Sequence, residues 1–318
     1  MSKYPLGFST CCHQEGLPLV RGTIASIRAF APDAPICLFT DGDFDVHRLV
    51  RAYDLIHIPR NAIKSPELRS RSFGYLTKML VHWEAPFERV IHVDCDAVLW
   101  GDIRLNLPQG DWDYVYNEPH EIITPEIMKG QYFDPASPAL RSVLDSFSWQ
   151  DRPFFNAGVF ACRVGAFSFD EYMRYVDLFE QSPRSFPTVD QSIQNLMVFS
   201  GLEAGSLNVK QAHLQTVVPV CDPRELEQRF QFRNGKPVLN GIPTVIHWAG
   251  PKPYLLTKHP FSRPMTYFRT KALRKSGVPS FISPATALFL DEMRCRQLPR
   301  YKRNLVSSLK RAIRRFRA

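Results

Sequence analysis

The stretch RVIHVDCDAVLW, residues 89–100, ends a run of strand-forming residues with two aspartates, Asp94 and Asp96. Taking an ionised carboxylate out of water without a partner costs several kcal/mol, the scale of a whole domain's net stability, so a pair placed there calls for something positive beside it. In an extended chain, side chains at i and i+2 lie on one side, and Asp94 and Asp96 are expected to converge while Cys95 faces away. Two hard oxygen donors at a strand end suit Mg2+ or Mn2+. Spacing alone is not diagnostic, because the chain holds four Asp-x-Asp triplets: Asp41/Asp43, Asp43/Asp45, Asp94/Asp96 and Asp111/Asp113. TDGDFD reads as a solvated turn around Gly42 and GDWDY as a surface connection. Only Asp94 and Asp96 follow an uninterrupted β-branched run.

Three motifs downstream could join them. FFNAGVFAC places Asn156, Ala157 and Gly158 inside an apolar strand, where glycine permits close approach of a ligand and the Asn amide can bind a hydroxyl. TVDQSIQNLM sets Asp190 and Gln191 at a helix start, where an aspartate also suits the helix dipole. VIHWAGPKPY puts His247 at a strand end, before a turn at Gly250 and then Lys252. A lone histidine on an apolar strand often belongs to the core; the Gly-Pro-Lys-Pro that follows favours the edge of a site.

The elements that must position these residues follow from the hydrophobic period. Strands are predicted over 6–12, 34–42 and 54–60, and helices over 17–30, 46–53 and 72–83, ahead of the Asp94 strand. This alternation predicts an α/β fold with a mostly parallel central sheet covered on both faces, and ligands bind such sheets beyond the carboxyl ends of the strands. In the second half, strands are expected over 113–118, 154–164 and 244–248, helices over 169–181 and 189–199, and a hairpin around Asn234-Gly235. The Pro-rich, basic stretch 249–264 reads as a loop, followed by helices over 265–275 and 285–294. No Gly-rich dinucleotide fingerprint, phosphate-binding P-loop or nucleophile elbow occurs.

Composition narrows the class. The chain has 318 residues, 44% hydrophobic and 22% charged, enough for one large domain with a small appendage. Seven scattered cysteines without a C-x-x-C pattern argue against a disulfide framework or zinc site and favour a reducing cytoplasm. The opening MSKYPLGFSTCC lacks the apolar core of a secretory signal, and no run approaches the ~20 apolar residues of a membrane span. Of the net charge of +9, ten basic residues and no acid lie in the last 25, which leaves the first 293 at about −1. From Leu305 the apolar residues fall at 305, 306, 309, 312, 313 and 316, and Lys310, Arg311, Arg314, Arg315 and Arg317 take the remaining surface. That pattern predicts a helix lying on an anionic membrane surface, and a cytoplasmic protein held peripherally at the membrane's inner face.

Taken together, the motifs resemble the retaining glycosyltransferases of family 8, the group of glycogenin and the bacterial lipooligosaccharide galactosyltransferases. They stand in the family's order: Lys78 in GYLTKML, D-x-D at Asp94 and Asp96, N-A-G-V from Asn156, D-Q-x-x-x-N at Asp190, Gln191 and Asn195, and H-x-x-G with a following K-P. The resemblance covers residues 5–254 and implies a GT-A domain over 1–255, an extension over 256–293 and a basic tail over 294–318. It also implies Mn2+ (or Mg2+) held by Asp94, Asp96 and His247. Lys78 and Lys252 would balance the donor's diphosphate, Thr10, Asn156, Ala157, Gly158 and Gly250 would line the donor site, and Asp190 and Gln191 would be catalytic. The donor implied is a nucleotide sugar, a UDP-hexose, and the acceptor a glycan or a lipid-linked or cell-envelope molecule. Two departures stand out: HWAGPKPY is one residue shorter than the family's pattern, with Tyr254 where tryptophan is usual, and CCHQEGLP lacks the usual base-stacking Asp/Asn-x-x-Tyr. Retention permits double displacement through Asp190 or same-face substitution with Gln191 supporting the charge. A sugar-1-phosphate nucleotidylyltransferase would need a Gly- and Arg-rich loop that STCCHQEGLPLVRG does not supply. Nucleic-acid binding through the tail would leave the aspartate, NAG and DQ motifs without a role, so no nucleic-acid partner is expected.

Overall fold

Along the strand ICLFTD, Ile36 and Leu38 join one apolar layer while Cys37 and Phe39 join another, the alternation of a strand buried on both faces. A computed structural model describes residues 4–119 and 123–301. The strands are β1 Tyr4–His13, β2 Ile36–Asp41, β3 Leu55–Pro59, β4 Phe87–Val93, β5 Ala97–Trp100 and β6 Tyr114–Asn117, continuing with β7 Val159–Arg163, β8 Val209–Ala212 and β9 Gln215–Val217. A two-stranded hairpin, β10 Phe232–Arg233 and β11 Lys236–Pro237, precedes β12 Thr244–His247. Seven strands form the central sheet in the order β3-β2-β1-β4-β7-β6-β8. All neighbours are parallel except β7, which runs antiparallel to both β4 and β6. The expected α/β class with a mostly parallel sheet is the one observed.

Helix Leu17–Phe30 covers one face and, with Arg263–Lys275, closes the first apolar layer. Their contact is tight enough that a Cβ on Gly22 would lie 2.4 Å from Met265 Sδ. The extension after residue 255 is thus packed into the main core, with Met265 and Phe268 fully buried. Helices Phe169–Gln181 and Val189–Glu203 cover the other face. Residues 74–80 form a 3-10 helix rather than the expected α-helix, and the short helices Pro138–Leu144 and Pro223–Arg229 carry too few residues to show a period in the sequence.

Three local expectations are corrected. Asp94 to Asp96 is a turn between β4 and β5, closed by Ala97 N–H donating to Asp94 O at 3.2 Å, so the two carboxylates converge by turn geometry and not by strand alternation. Ala157 and Gly158 lie in a turn before β7, because the Asn156 side chain takes the Gly158 N–H at 2.9 Å and removes it from any ladder. Neither TDGDFD nor GDWDY is wholly a solvated connection. Asp41 accepts from Arg60, Gly74 N–H and Thr77, and the buried Asp113 accepts from Arg163 and Asn208 N–H.

All seven cysteines are free, and burial pushes the Cys12 and Cys37 thiols well above their ordinary range, as expected for packing residues. Among the described residues no helix is long and apolar enough to cross a membrane. The amphipathic pattern of 305–316 lies outside the described residues. Its anticipated start at 294 does not mark the end of packing: Cys295 is buried, Arg296 lies over the Tyr254 ring at 3.2 Å, and Arg300 pairs with Glu15 at 2.6 Å.

Candidate active site

A second, three-stranded sheet in the order β5-β12-β9 assembles the site. After the Asp94–Asp96 turn the chain leaves the central sheet as β5, and β12 pairs antiparallel to it with His247 opposite Ala97. Trp248 N–H extends the ladder to Asp96 O at 3.2 Å, so the register itself delivers the imidazole to the two carboxylates. Ligand-type atoms of Asp94, Asp96 and His247 all lie within 4.8 Å of one another. His247 Nε2 stands 3.5 Å from Asp96 Oδ1 and 3.9 Å from Asp94 Oδ2. Two carboxylates and one imidazole form a donor set that fits a divalent ion, and the nitrogen donor suits Mn2+ better than Mg2+.

The turn is held from three sides. Thr23 of the first helix donates to Cys95 O at 2.8 Å, Asp94 N–H donates to Gly158 O at 2.9 Å, and the wholly buried His92 places Nε2 3.2 Å from Asp94 Oδ1. Gly158 answers a packing demand: a Cβ there would lie 2.1 Å from His247 Cε1. The close approach expected at this glycine is therefore made by the histidine ring.

Charge is balanced by lysines belonging to the chain. Lys78, only 6% exposed, sets Nζ 2.9 Å from Asp94 and 2.7 Å from Asp190, with Ala157 O at 3.3 Å. Burial pulls its pKa down, but the two carboxylates outweigh burial and hold it above the usual lysine range. Lys252 pairs with Asp96 and donates to Trp248 O at 2.9 Å. Burial raises the Asp96 pKa and Lys252 lowers it, and the net effect leaves it well below the ordinary carboxylate range. The positive partner demanded by the two aspartates is thus supplied first by these lysines, with the imidazole edge left facing both.

Asp190 and Gln191 begin helix Val189–Glu203 and are both buried, but their atoms are engaged differently. Gln191 accepts from Ala157 N–H at 3.3 Å and donates to Gln131 O at 3.1 Å. Asp190 Oδ1 is buried without a hydrogen bond. Asn195, of the same motif, pins the preceding segment through Phe155 N–H at 3.1 Å and Phe155 O at 3.0 Å. Gly250, at φ +146°, makes the turn between His247 and Lys252. Thr10 stands apart: its side chain is enclosed and its hydroxyl has no partner. Beside Asn156 an open pocket is lined by Tyr132, Phe154, Val217, Pro219 and Ala249.

Sequence reasoning missed two members of this site. His92 carried a signal, a histidine two residues before Asp94 in an apolar strand. Gln215 carried none beyond being polar among apolar neighbours. It is completely buried in β9 and accepts from His247 Nδ1 at 2.8 Å.

Comparison with protein-family profiles finds no match, and comparison with curated proteins finds none either. Solved structures do match. Galactosyltransferase LgtC in complex with donor and acceptor sugar analogs superposes with a TM-score of 0.55 at 15% identity, covering 86% of this chain and 98% of that one. An active-site mutant of LgtC gives 0.56 at 14% identity, covering 88% and 99%. The apo structure of the bifunctional glycosyltransferase WbbM gives 0.54 at 13% identity, covering 92% of this chain and 52% of that one. The likeness is one of fold: the chain has the GT-A architecture of these glycosyltransferases.

Proposed function

We propose that this GT-A chain is a glycosyltransferase that takes a sugar from a nucleotide-diphosphate donor, with a divalent cation, and passes it to an acceptor hydroxyl. The observation that carries this is the convergence of Asp94, Asp96 and His247 beside the Lys78–Asp190 pair, at the carboxyl end of the parallel strands. A bound cation would stabilise charge developing on the departing diphosphate. The chain's own residues do the rest. Lys252, reaching Asp96 from the Gly250 turn and 37% exposed at its side chain, is the lysine placed to meet an incoming phosphate. Lys78 is enclosed and acts within the protein, tying the metal turn to Asp190. The pocket beside Asn156 offers walls for an acceptor. Family 8, UDP-hexose as donor, Mn2+ as ion and retention of configuration are what the resemblance of the sequence motifs implies, and LgtC, a galactosyltransferase with bound donor and acceptor analogs, supports the sugar-transfer reading through its fold. Incubation with a panel of UDP-sugars and Mn2+, with UDP release as readout, tests it directly; no release from any of them, with or without acceptor, would count against it.

For the transition state we propose Asp190 over Gln191; in support, Asp190 retains a buried oxygen free of hydrogen bonds while both ends of the Gln191 amide are held by backbone. Asp190→Asn is expected to lower kcat by about a hundredfold or more with donor KM little changed, the pattern of an interaction made only in the transition state. A rise in KM alone would make Asp190 a positioning group instead. An inverted product anomer by NMR would contradict retention.

The lipid-linked or cell-envelope acceptor and the membrane surface rest on the basic C-terminal pattern of residues 305–316. Because packing continues to Arg300, the informative truncation ends at Tyr301, which keeps the Arg296 and Arg300 contacts. Full-length protein is expected to pellet with anionic but not neutral liposomes at low salt and to be released at high salt, each basic residue contributing about 1 kcal/mol. Equal pelleting of the truncated form would remove the tail from membrane attachment.

A further inference from the structure

We propose that Gln215 is the positioning residue that makes His247 a metal ligand. It fixes the imidazole with its proton on Nδ1 and so leaves the Nε2 lone pair facing Asp94 and Asp96. The inference deepens the proposed cation site and rests on it.

The orientation of the Gln215 amide is determined by its surroundings. Its Nε2 lies 3.2 Å from the backbone oxygen of Asn156 and 3.2 Å from Asn156 Oδ1. Asn156 Oδ1 is itself identified as oxygen, since it accepts from Gly158 N–H at 2.9 Å. Two acceptors on one side require the amide nitrogen there, which turns the Gln215 carbonyl oxygen toward His247 Nδ1, 2.8 Å away. That oxygen carries no proton, so Nδ1 must donate. Nε2, on the opposite side of the ring, is then free to bind a cation. The ring cannot move away to find another partner, because His247 is 3% exposed and packs against the bare Cα of Gly158. One buried glutamine therefore links the Asn-Ala-Gly turn to the third ligand. Partners of this kind, which hold a ligating histidine by its far nitrogen, commonly change metal affinity by about 10–100-fold.

The test uses the full chain, first without metal. With 15N-labelled histidine, the wild-type spectrum should show a protonated Nδ1 on His247. In Gln215→Leu the proton should move to Nε2, where Asp96 Oδ1 can accept it, and Mn2+ affinity measured by electron paramagnetic resonance should fall about 10–100-fold. Gln215→Glu keeps an acceptor opposite Nδ1 while removing the donors to Asn156, and should hold the tautomer with Mn2+ affinity within about threefold of wild type. A merely structural role would make both variants weaken together. An unprotonated Nδ1 in the wild type, or a folded Leu variant that binds Mn2+ as tightly as wild type, would overturn the role of Gln215 while the cation site stands. Should the wild-type chain bind no Mn2+ at all, the cation site and this proposal fall together. If the Leu variant does not fold, the wild-type spectrum and the Glu variant decide.

Discussion

Asp96→Asn is expected to lower donor turnover by about a thousandfold or more, some 4 kcal/mol of transition-state stabilisation, while the chain stays folded. The magnitude follows from the number of roles this carboxylate holds. Its Oδ1 faces His247 Nε2 at 3.5 Å, its Oδ2 pairs with Lys252, and its backbone oxygen closes the ladder onto Trp248. The amide preserves shape and the backbone contact but carries no charge, so a cation loses a ligand and Lys252 loses its counter-ion. The fold is expected to survive because Lys252 can turn to solvent, its side chain being 37% exposed. Turnover would be measured with the donor hydrolysed fastest by wild type, alongside Mn2+ titration and a circular dichroism melt. Undiminished turnover of the variant in EDTA would dispose of the metal centre altogether.

Lys78→Met should act on stability more than any other single change near the site. The ammonium is buried between Asp94 at 2.9 Å and Asp190 at 2.7 Å, and methionine leaves both carboxylates without it. Removing one partner from a buried ion pair costs about 3–5 kcal/mol, because the charge left behind has neither water nor counter-ion. The sign of the pH dependence is fixed by the direction of the lysine's shift. A folded-state pKa held above the unfolded value contributes stability that is fully present below the unfolded value of about 10.4 and lost only as pH rises through the folded one. The titration of Lys78 itself should therefore add no pH dependence to the urea-midpoint gap from about pH 6 to about pH 9. Adding Asp190→Asn to Lys78→Met should restore part of the loss, since one of the stranded charges is then gone. An unchanged midpoint in the single variant would mean that water or the backbone already satisfies both aspartates.

The two expectations bear on different parts of the site. Asp96 pairs with the part-exposed Lys252, whereas Lys78 is enclosed between Asp94 and Asp190, so the first is tested by chemistry and the second by denaturation. Lys252 and Lys78 looked alike in the sequence, as basic residues near motif positions. The different burial of the two side chains, 37% exposed for Lys252 and 7% for Lys78, separates them.

What the sequence determined by itself is what depends on near neighbours in the chain. The helix over 17–30 has the bounds expected from its apolar period, and the alternation of strands with helices specified a mostly parallel sheet covered on two faces. Asp94, Asp96 and His247 were recognisable as ligand types because each follows a β-branched run, a local pattern. Tertiary structure alone decided how these pieces meet. His247 lies 151 residues after Asp96 and reaches it only because β12 pairs with β5 in the register that sets His247 beside Ala97. Gln215 becomes part of the site through β9 running parallel to β12, and nothing in AHLQTVVP marks it out. Lys78 reads in the sequence as a phosphate-binding cation, and only packing adds its contact with Asp190. Hydrogen-bond register and burial are set by contacts between distant segments, and those contacts carry no periodic or local signature in the chain.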